Sequence, residues 1–590
     1  MAVTNETAAP AVPRRQWRAR RRSEIGIAGL VVLAIAIAAA LYLISAPLGM
    51  LLAAALRGPP DVLPFEAGAR WTLGNLAAAF GERELYTRII PNTVVFTVAS
   101  VALTFVIAFV LAWLVERTDL PLRNVTFTLV LFPLLIPGVV VAIAWIILLS
   151  PKTGLLNVLL RDLLGLQGQG PLNIFSMGGM VFAQAVVLVP FVFLLLTVAL
   201  RSMNPALEEA SQTAGASPLK TFLRVTLPVL RPGLIAPLIL ATLVTLEQFE
   251  IPLMLGLTAR VNVFSTQIYY EITSDTDLPA YGRAAATALP FLAAGLLLLL
   301  AYNRAVRRAE SFVTITGKGY RPAPLPLGKW KAPAVALVVA YAVVAVLLPA
   351  VVLVWASFFG YRRFGLATLS AADVTGYVQL FTDPGFWRAV GNTFLVAGLS
   401  AGIATIVGAL VSWATLRTRL PGRGVVDFVT FMSVGIPSVI AGLACLMLYL
   451  SLPIGVYGTV WVLVLAYSYR LAVSTRLSRS ALMQIHPELE EASSAAGGQW
   501  GTTIRRVVLP LLAPSLMASF VLLFIVGFRE FTLPMLLQSP KNVVLSVIMY
   551  QDFNNGQVTE AAAVAVIIVA CVTPVIFVMR RQLLKGDGKG

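Results

Sequence analysis

Two polar stretches of this chain repeat the same residue types at the same spacing. Glu208, Glu209, Ala210, Ser211, Gly215, Leu227 and Pro228 recur 282 residues later as Glu490, Glu491, Ala492, Ser493, Gly497, Leu509 and Pro510. Between 208–232 and 490–514, 13 of 25 aligned positions are identical without a gap. Carboxylates followed by small residues and a glycine lack the nucleophile-and-base pairing of covalent catalysis. They suit recognition: a short helix with acids in its first turn and small side chains on one face lets a partner surface come close. A phosphate-cradling GxxxxGK[ST] is absent; the nearest string, TGKGY at 316–320, lacks the upstream glycine and the Ser/Thr. This chain is therefore not expected to hydrolyse a nucleotide or to be an enzyme. No cofactor or metal is expected. Cys445 and Cys571 lie in apolar runs, and the single histidine, His486, has no ligand companion.

A second group of charges sits where charges are costly, inside apolar runs. Glu247 and Glu250 lie in LEQFEIPLML, and Arg529 and Glu530 in FREFTLPMLL. The offset of 282 pairs Glu247 with Arg529, Gln248 with Glu530, Phe249 with Phe531 and Pro252 with Pro534. Matched residues of opposite charge near a pseudo-two-fold axis suggest an ion pair between Glu247 and Arg529. Two readings of the cluster stay open: part of a gate or translocation path, or a buried bridge that sets the register of two halves.

The elements that must position these groups are membrane helices. The chain has 590 residues, 58% of them hydrophobic and only 12% charged, against about 25% charged in a soluble domain. Its mean hydropathy is +0.86. Apolar runs near the ~20 residues needed to cross the hydrocarbon give about twelve spans: roughly 25–46, 92–115, 125–149, 177–200, 233–256, 285–303, 333–356, 391–414, 426–450, 458–475, 515–537 and 561–579. Arg470 and Arg476 make the tenth the weakest of these. The net charge of +17 reads as topology, not as nucleic-acid binding. With these spans, 31 of the 44 Lys and Arg residues fall on the side of both termini and both polar stretches. By the positive-inside rule that side is cytoplasmic. The fold expected is an all-α polytopic membrane protein in a bacterial inner membrane, embedded in the lipid bilayer.

The spans form two parallel six-helix repeats. Trp113, Arg117, Thr118, Leu120 and Pro121 recur 300 residues later as Trp413, Arg417, Thr418, Leu420 and Pro421; Asn92-Thr93 matches Asn392-Thr393, and Ile136-Pro137 matches Ile436-Pro437. The drop in offset from 300 to 282 leaves extra residues in the first half, assigned to the loop 151–173. The organisation expected is a basic tail over 1–24, a first half over 25–303 (repeat core about 85–303), a linker over 304–331, a second half over 332–579 (core about 385–579) and a tail over 580–590. Six spans per half is an even number, so both halves run in the same direction. Pro137 and Pro437 are expected to kink their spans.

The polar stretch itself reads as a helix begun at Asn204-Pro205 or His486-Pro487 and ended by a turn at Gly215 or Gly497, then a basic segment and a return to the membrane at the proline. Glu-Ala-Ser, three residues, Gly, nine residues, Val-x-Leu-Pro resembles the EAA loop of permease subunits in binding-protein-dependent ABC importers. Ser211 and Ser493 replace the pattern's third Ala, and Val225 and Val507 its Ile. The resemblance covers about 85–303 and 385–579 and implies the type I importer permease fold. It further implies that Glu208–Gly215 and Glu490–Gly497, with Leu227-Pro228 and Leu509-Pro510, dock two copies of an ABC ATPase subunit, and that a periplasmic substrate-binding protein delivers the solute. The segment 528–567 and the fused layout resemble the ferric-iron branch most; thiamine, polyamine and phosphonate branches are related. The rival from a different class is a twelve-span secondary transporter, which needs no ATPase.

Overall fold

The computed structural model describes residues 27–587, except 60–61, 67, 202, 204–205, 274–278, 311–323 and 419. The N-terminal tail, residues 311–323 of the linker and Asn204-Pro205 lie outside the described residues.

Most of the described residues are helical; strand pairing among them is confined to Arg57–Gly58 with Arg70–Trp71, antiparallel, and a single bridge between Thr118 and Leu325. Among the described residues, eight helices are long and apolar enough to cross a membrane: Gly29–Ala55, Leu85–Arg117, Met177–Arg201, Phe222–Leu246, Tyr281–Val306, Gly328–Phe359, Pro384–Arg417 and Trp500–Phe528. Counting each of two bent pairs as one span gives up to ten. The expected third and ninth spans are these pairs. Arg123–Leu134 and Gly138–Leu149 meet at 95°, and Arg423–Gly435 is followed by Ser438–Ser451. The prolines are the cause. Without an N–H, Pro137 and Pro437 cannot continue the ladder; both adopt φ −55° with ψ of 142° and 139°, and a new helix starts after each. Each matched proline therefore breaks its helix outright, where the sequence suggests a kink.

The tenth expected span is also not one helix. Val460–Tyr467 stops, and a second helix runs over Leu471–Gln484. Its first-half counterpart, Met177–Arg201, is continuous. Ser468, Tyr469 and Arg470 stand where the first half has Val186, Val187 and Leu188, and the second helix carries Arg476 and Arg479. The expected twelfth span lies in Val558–Asp587, whose apolar part covers Val558–Pro574.

Two apolar clusters among the described residues show how these helices pack. In one, Ala108, Leu111, Ala112 and Val115 meet Leu188, Val192, Phe193 and Leu196, with Ala334 and Val338 of the helix Lys331–Ala342 against them. In the other, Trp413, Ala414, Leu482, Val508 and Leu512 surround Leu33 of the first helix. Each core thus takes in a helix that the sequence assigns to the opposite half. Small residues such as Ala108 and Ala112 matter because, in lipid, helices associate by close packing and not by the hydrophobic effect.

Gly295 of Tyr281–Glu310 is one such close approach. A Cβ there would stand 2.5 Å from the carbonyl oxygen of Gly435, just before the second break. Backbone cannot yield as a flexible side chain can, so Gly295→Ala should cost about 1–3 kcal/mol. A lowered apparent melting temperature of the purified protein in detergent is the expected readout; an unchanged one would show that this crossing is loose.

Candidate functional site

The two polar stretches fold alike. The helices Ala206–Thr213 and Glu488–Ala495 carry acids in their first turns. Each ends in a Schellman turn. Ala216 N–H donates to Ser211 C=O at 3.1 Å and Gly215 N–H to Gln212 C=O at 2.9 Å; in the second copy Gly498 donates to Ser493 at 2.8 Å and Gly497 to Ser494 at 3.0 Å. The pivot residues are Gly215 at φ +83° and Gly497 at φ +81°, a left-handed conformation that costs other residues about 1–2 kcal/mol. Short helices follow at Pro218–Thr221 and Trp500–Thr503 and run into Leu227–Leu246 and Leu509–Phe528. The serines that depart from the EAA pattern join the two arms. Ser211 Oγ lies 3.0 Å from Thr221 Oγ1, and Ser493 Oγ lies 2.8 Å from Thr503 Oγ1.

The acids divide into two roles. Glu208 turns inward: its Oε2 lies 2.9 Å from Arg117 Nη2, and its Oε1 accepts from Thr226 Oγ1 at 2.7 Å. Glu490 lies 3.0 Å from Arg417 Nε. Ala210, Ala492, Gly215 and Gly497 are exposed, as is Glu209, whereas Glu491 is half-buried. Pro228, Leu509 and Pro510 are exposed and Leu227 is half-buried. Sequence reasoning passed over Leu207 and Leu489. They are the same residue in both copies, directly precede the paired acids, and leave 49% and 46% of their surface exposed. The signal was present, since the identity between copies extends one residue further upstream.

Two of the charges inside the apolar runs, Glu250 and Arg529, meet at the first helix break. Glu250 Oε2 accepts from Val139 N–H at 2.8 Å. Gly138 leaves room for that carboxylate, since a Cβ there would lie 2.3 Å from Glu250 Oε2. Arg529 Nη1 donates to the Leu134 carbonyl. A carboxylate thus faces the amino end of one half-helix and a guanidinium the carbonyl end of the other, each where the peptide dipoles favour it. Glu530 Oε1 accepts from Leu533 N–H at 3.2 Å and caps Thr532–Leu537. The matched aromatics Phe249 and Phe531, both fully buried, stack at 6.3 Å with their planes 20° apart. Residues related by the repeat therefore do meet in the folded chain.

Other matched residues hold the segments that follow. Asn92 Nδ2 donates to Asn262 C=O at 3.1 Å, and Asn392 Nδ2 to Val543 C=O at 2.9 Å. Thr93 Oγ1 accepts from Phe264 N–H and Thr393 Oγ1 from Leu545 N–H, both at 3.0 Å. The Asn-Thr pairs are thus anchors for the helices Phe264–Thr273 and Leu545–Asn554.

One pair of matched sites differs in charge. In the first half Arg283 Nη1 lies 3.0 Å from Glu82 and its Nε lies 3.8 Å from Glu271. In the second half Glu560 holds Arg283's place, the third residue of its helix. Asp552 is pushed up to about 6, first by burial and then by Glu560 and Asp383. An acid whose pKa is raised on folding takes up a proton, so it weakens the fold as pH rises from about 4 through 6. Asp552→Asn should remove that loss. The variant is expected to gain in apparent melting temperature over wild type at pH 7.5 and not at pH 4.5, and parallel pH curves would contradict the assignment.

The family model described as "Binding-protein-dependent transport system inner membrane component" matches residues 108–311 and 404–585, and each match contains one polar stretch. The ferric transport system permease protein FbpB of Actinobacillus pleuropneumoniae is 26% identical over 458 residues, covering 76% of this chain and 64% of that protein. The Fe(3+)-transport system permease protein FbpB 2 of Haemophilus influenzae is 22% identical over 403 residues, covering 67% and 74%. The spermidine/putrescine transport system permease protein PotC of Escherichia coli is 24% identical over 241 residues, covering 41% and 89%. The chain spans less than two-thirds of the length of the first of these relatives.

Proposed function

Because this chain belongs to the family of binding-protein-dependent transport system inner membrane components, we propose that it is the permease subunit of an ATP-driven ABC importer for ferric iron. The observation that carries this reading is the duplicated loop: one Schellman-capped acidic helix per half, each with an exposed leucine and exposed small residues. A two-fold symmetric ATPase dimer needs the same surface presented twice. Two ATPase subunits dock on these loops, through Glu209, Ala210, Gly215 and Leu207 on one and Glu491, Ala492, Gly497 and Leu489 on the other. Leu227-Pro228 and Leu509-Pro510 follow as the chain turns back into the membrane. The permease does no hydrolysis of its own. ATP binding closes the ATPase dimer, draws the loops together and shifts the permease between inward- and outward-facing states, because the two states bind the nucleotide forms differently. A periplasmic binding protein hands over the solute on the far side of a bacterial inner membrane, and both termini are cytoplasmic.

Glu247, Glu250, Arg529 and Glu530, with the Phe249–Phe531 stack between them in sequence, form the gate or line the path. Glu247 and Arg529 pair across the halves. Exchanging their charges, Glu247→Arg with Arg529→Glu, should restore transport lost in either single variant; a double variant no better than the singles would remove the pairing.

Iron is supported by the names of two relatives that match over most of this chain. A polyamine is supported by one that matches over 41% of it. Uptake of radioactive ferric iron by cells with and without the gene, challenged with excess spermidine, separates the two. Loss of iron uptake on deletion, unaffected by spermidine, is expected. Unchanged iron uptake with lost spermidine uptake would overturn the assignment of iron.

A further inference from the structure

Two matched ion pairs are left unused by the docking surface just described. Arg117 is the last residue of the helix Ile90–Arg117, and Glu208 lies in the first turn of Ala206–Thr213. Arg417 is the last residue of Pro384–Arg417, and Glu490 lies in the first turn of Glu488–Ala495. Both pairs are close, at 2.9 and 3.0 Å, and both are largely removed from solvent: the side chains of Arg117 and Glu208 are 4% and 10% exposed, those of Arg417 and Glu490 11% and 17%.

The placement is complementary at every level. A guanidinium stands at the carbonyl end of a spanning helix and a carboxylate at the amide end of a loop helix, so each charge also suits its own helix dipole. Arg417 Nη2 adds bonds to the carbonyls of Leu482 and Ile485, at 2.9 and 2.6 Å. In the first half Glu208 reaches on to Thr226 Oγ1, which ties it to the segment returning toward the membrane. The Ser211–Thr221 and Ser493–Thr503 contacts brace the two arms of each loop. A loop held only by its chain would swing when pulled. A loop braced in this way, and pinned by a buried charge pair, moves together with the end of its spanning helix.

We propose that Arg117–Glu208 and Arg417–Glu490 are the struts of coupling: positioning residues that carry the displacement of a docked loop into the spanning helices without touching the ATPase. This rests on the docking reading above. It also gives Glu208 and Glu490, which face the permease, a role apart from that of the adjacent acids Glu209 and Glu491 in the docking reading.

The test uses the whole transporter, purified through a tag on this chain in mild detergent, beside iron uptake in cells. In the variant Glu208→Gln with Glu490→Gln, the ATPase should co-purify at the wild-type ratio while uptake falls roughly tenfold or more. Because a stranded buried guanidinium could loosen the loop, the companion variant neutralises both partners, with Arg117→Met and Arg417→Met added. It is expected to keep the wild-type melting temperature and still fail in uptake. Arg117→Lys with Arg417→Lys, which keeps the charge and loses the fork, should transport at an intermediate rate. Loss of the ATPase in step with uptake would overturn the proposal, since the carboxylates would then be docking contacts. So would wild-type uptake by the neutralised variant. A wild-type chain that captures no ATPase would overturn the docking reading itself, and this one with it.

Discussion

Arg529→Gln is expected to cut iron uptake severely while leaving the ATPase bound. The guanidinium donates to the Leu134 carbonyl at the end of the first broken helix, and Glu250 caps the start of the next half-helix through Val139 N–H. Glutamine is shorter and neutral. It leaves a carbonyl without its donor in a low-dielectric setting, at about 1–3 kcal/mol, and removes the cation that balances Glu250 and Glu530 nearby. The expected loss in uptake is roughly a hundredfold, with the break no longer held at both ends. Glu250→Gln is milder, roughly tenfold, because an amide oxygen can still accept from Val139. Initial uptake rates normalised to membrane-protein level check both. Equal losses in the two variants would show that the net charge of the cluster matters and the clasp on the break does not.

Leu207→Asp together with Leu489→Asp should sever the ATPase from the permease. Both side chains are about half exposed, on short helices of otherwise small and polar residues. An aspartate there costs the free permease little, since surface changes usually stay within about 0.5 kcal/mol. Buried against a partner, it would strand a charge. Co-purification should fall to background while the melting temperature of the permease alone holds. Retention of the ATPase at the wild-type ratio would place the docking surface elsewhere on the loops.

The repeat made much of this architecture legible. Identical residues at offsets of 282 and 300 pointed to two halves, and nearly every matched pair turns out to make matched contacts: Gly215 and Gly497 in the turns, Thr93 and Thr393 on the following helices, Phe249 and Phe531 on each other. What hydropathy could not convey is where a run of apolar residues stops being one helix. The runs 125–149 and 426–450 are as greasy as true spans, yet Pro137 and Pro437 break them, because a missing N–H outweighs hydropathy at that point. Residues 458–475 failed for the opposite reason, a polar Ser-Tyr-Arg stretch in an otherwise apolar run. The company kept by Glu208 and Arg529 was also hidden. Residue type marks a carboxylate or a guanidinium as costly to bury, but the partner that offsets the cost, Arg117 from 91 residues away or the Leu134 carbonyl from 395 away, is set by the fold.

The central claim is that an ATPase on a separate chain drives this permease through both loops. Its most direct test is capture of the tagged wild-type chain from native membranes in mild detergent, with identification and counting of what comes with it. The account predicts an ATP-hydrolysing subunit at two copies per permease chain, as a two-fold partner requires. Capture of the permease alone, even after gentle crosslinking, with iron uptake that collapses on adding a protonophore and persists when ATP is depleted, would contradict it and leave a secondary transporter in its place.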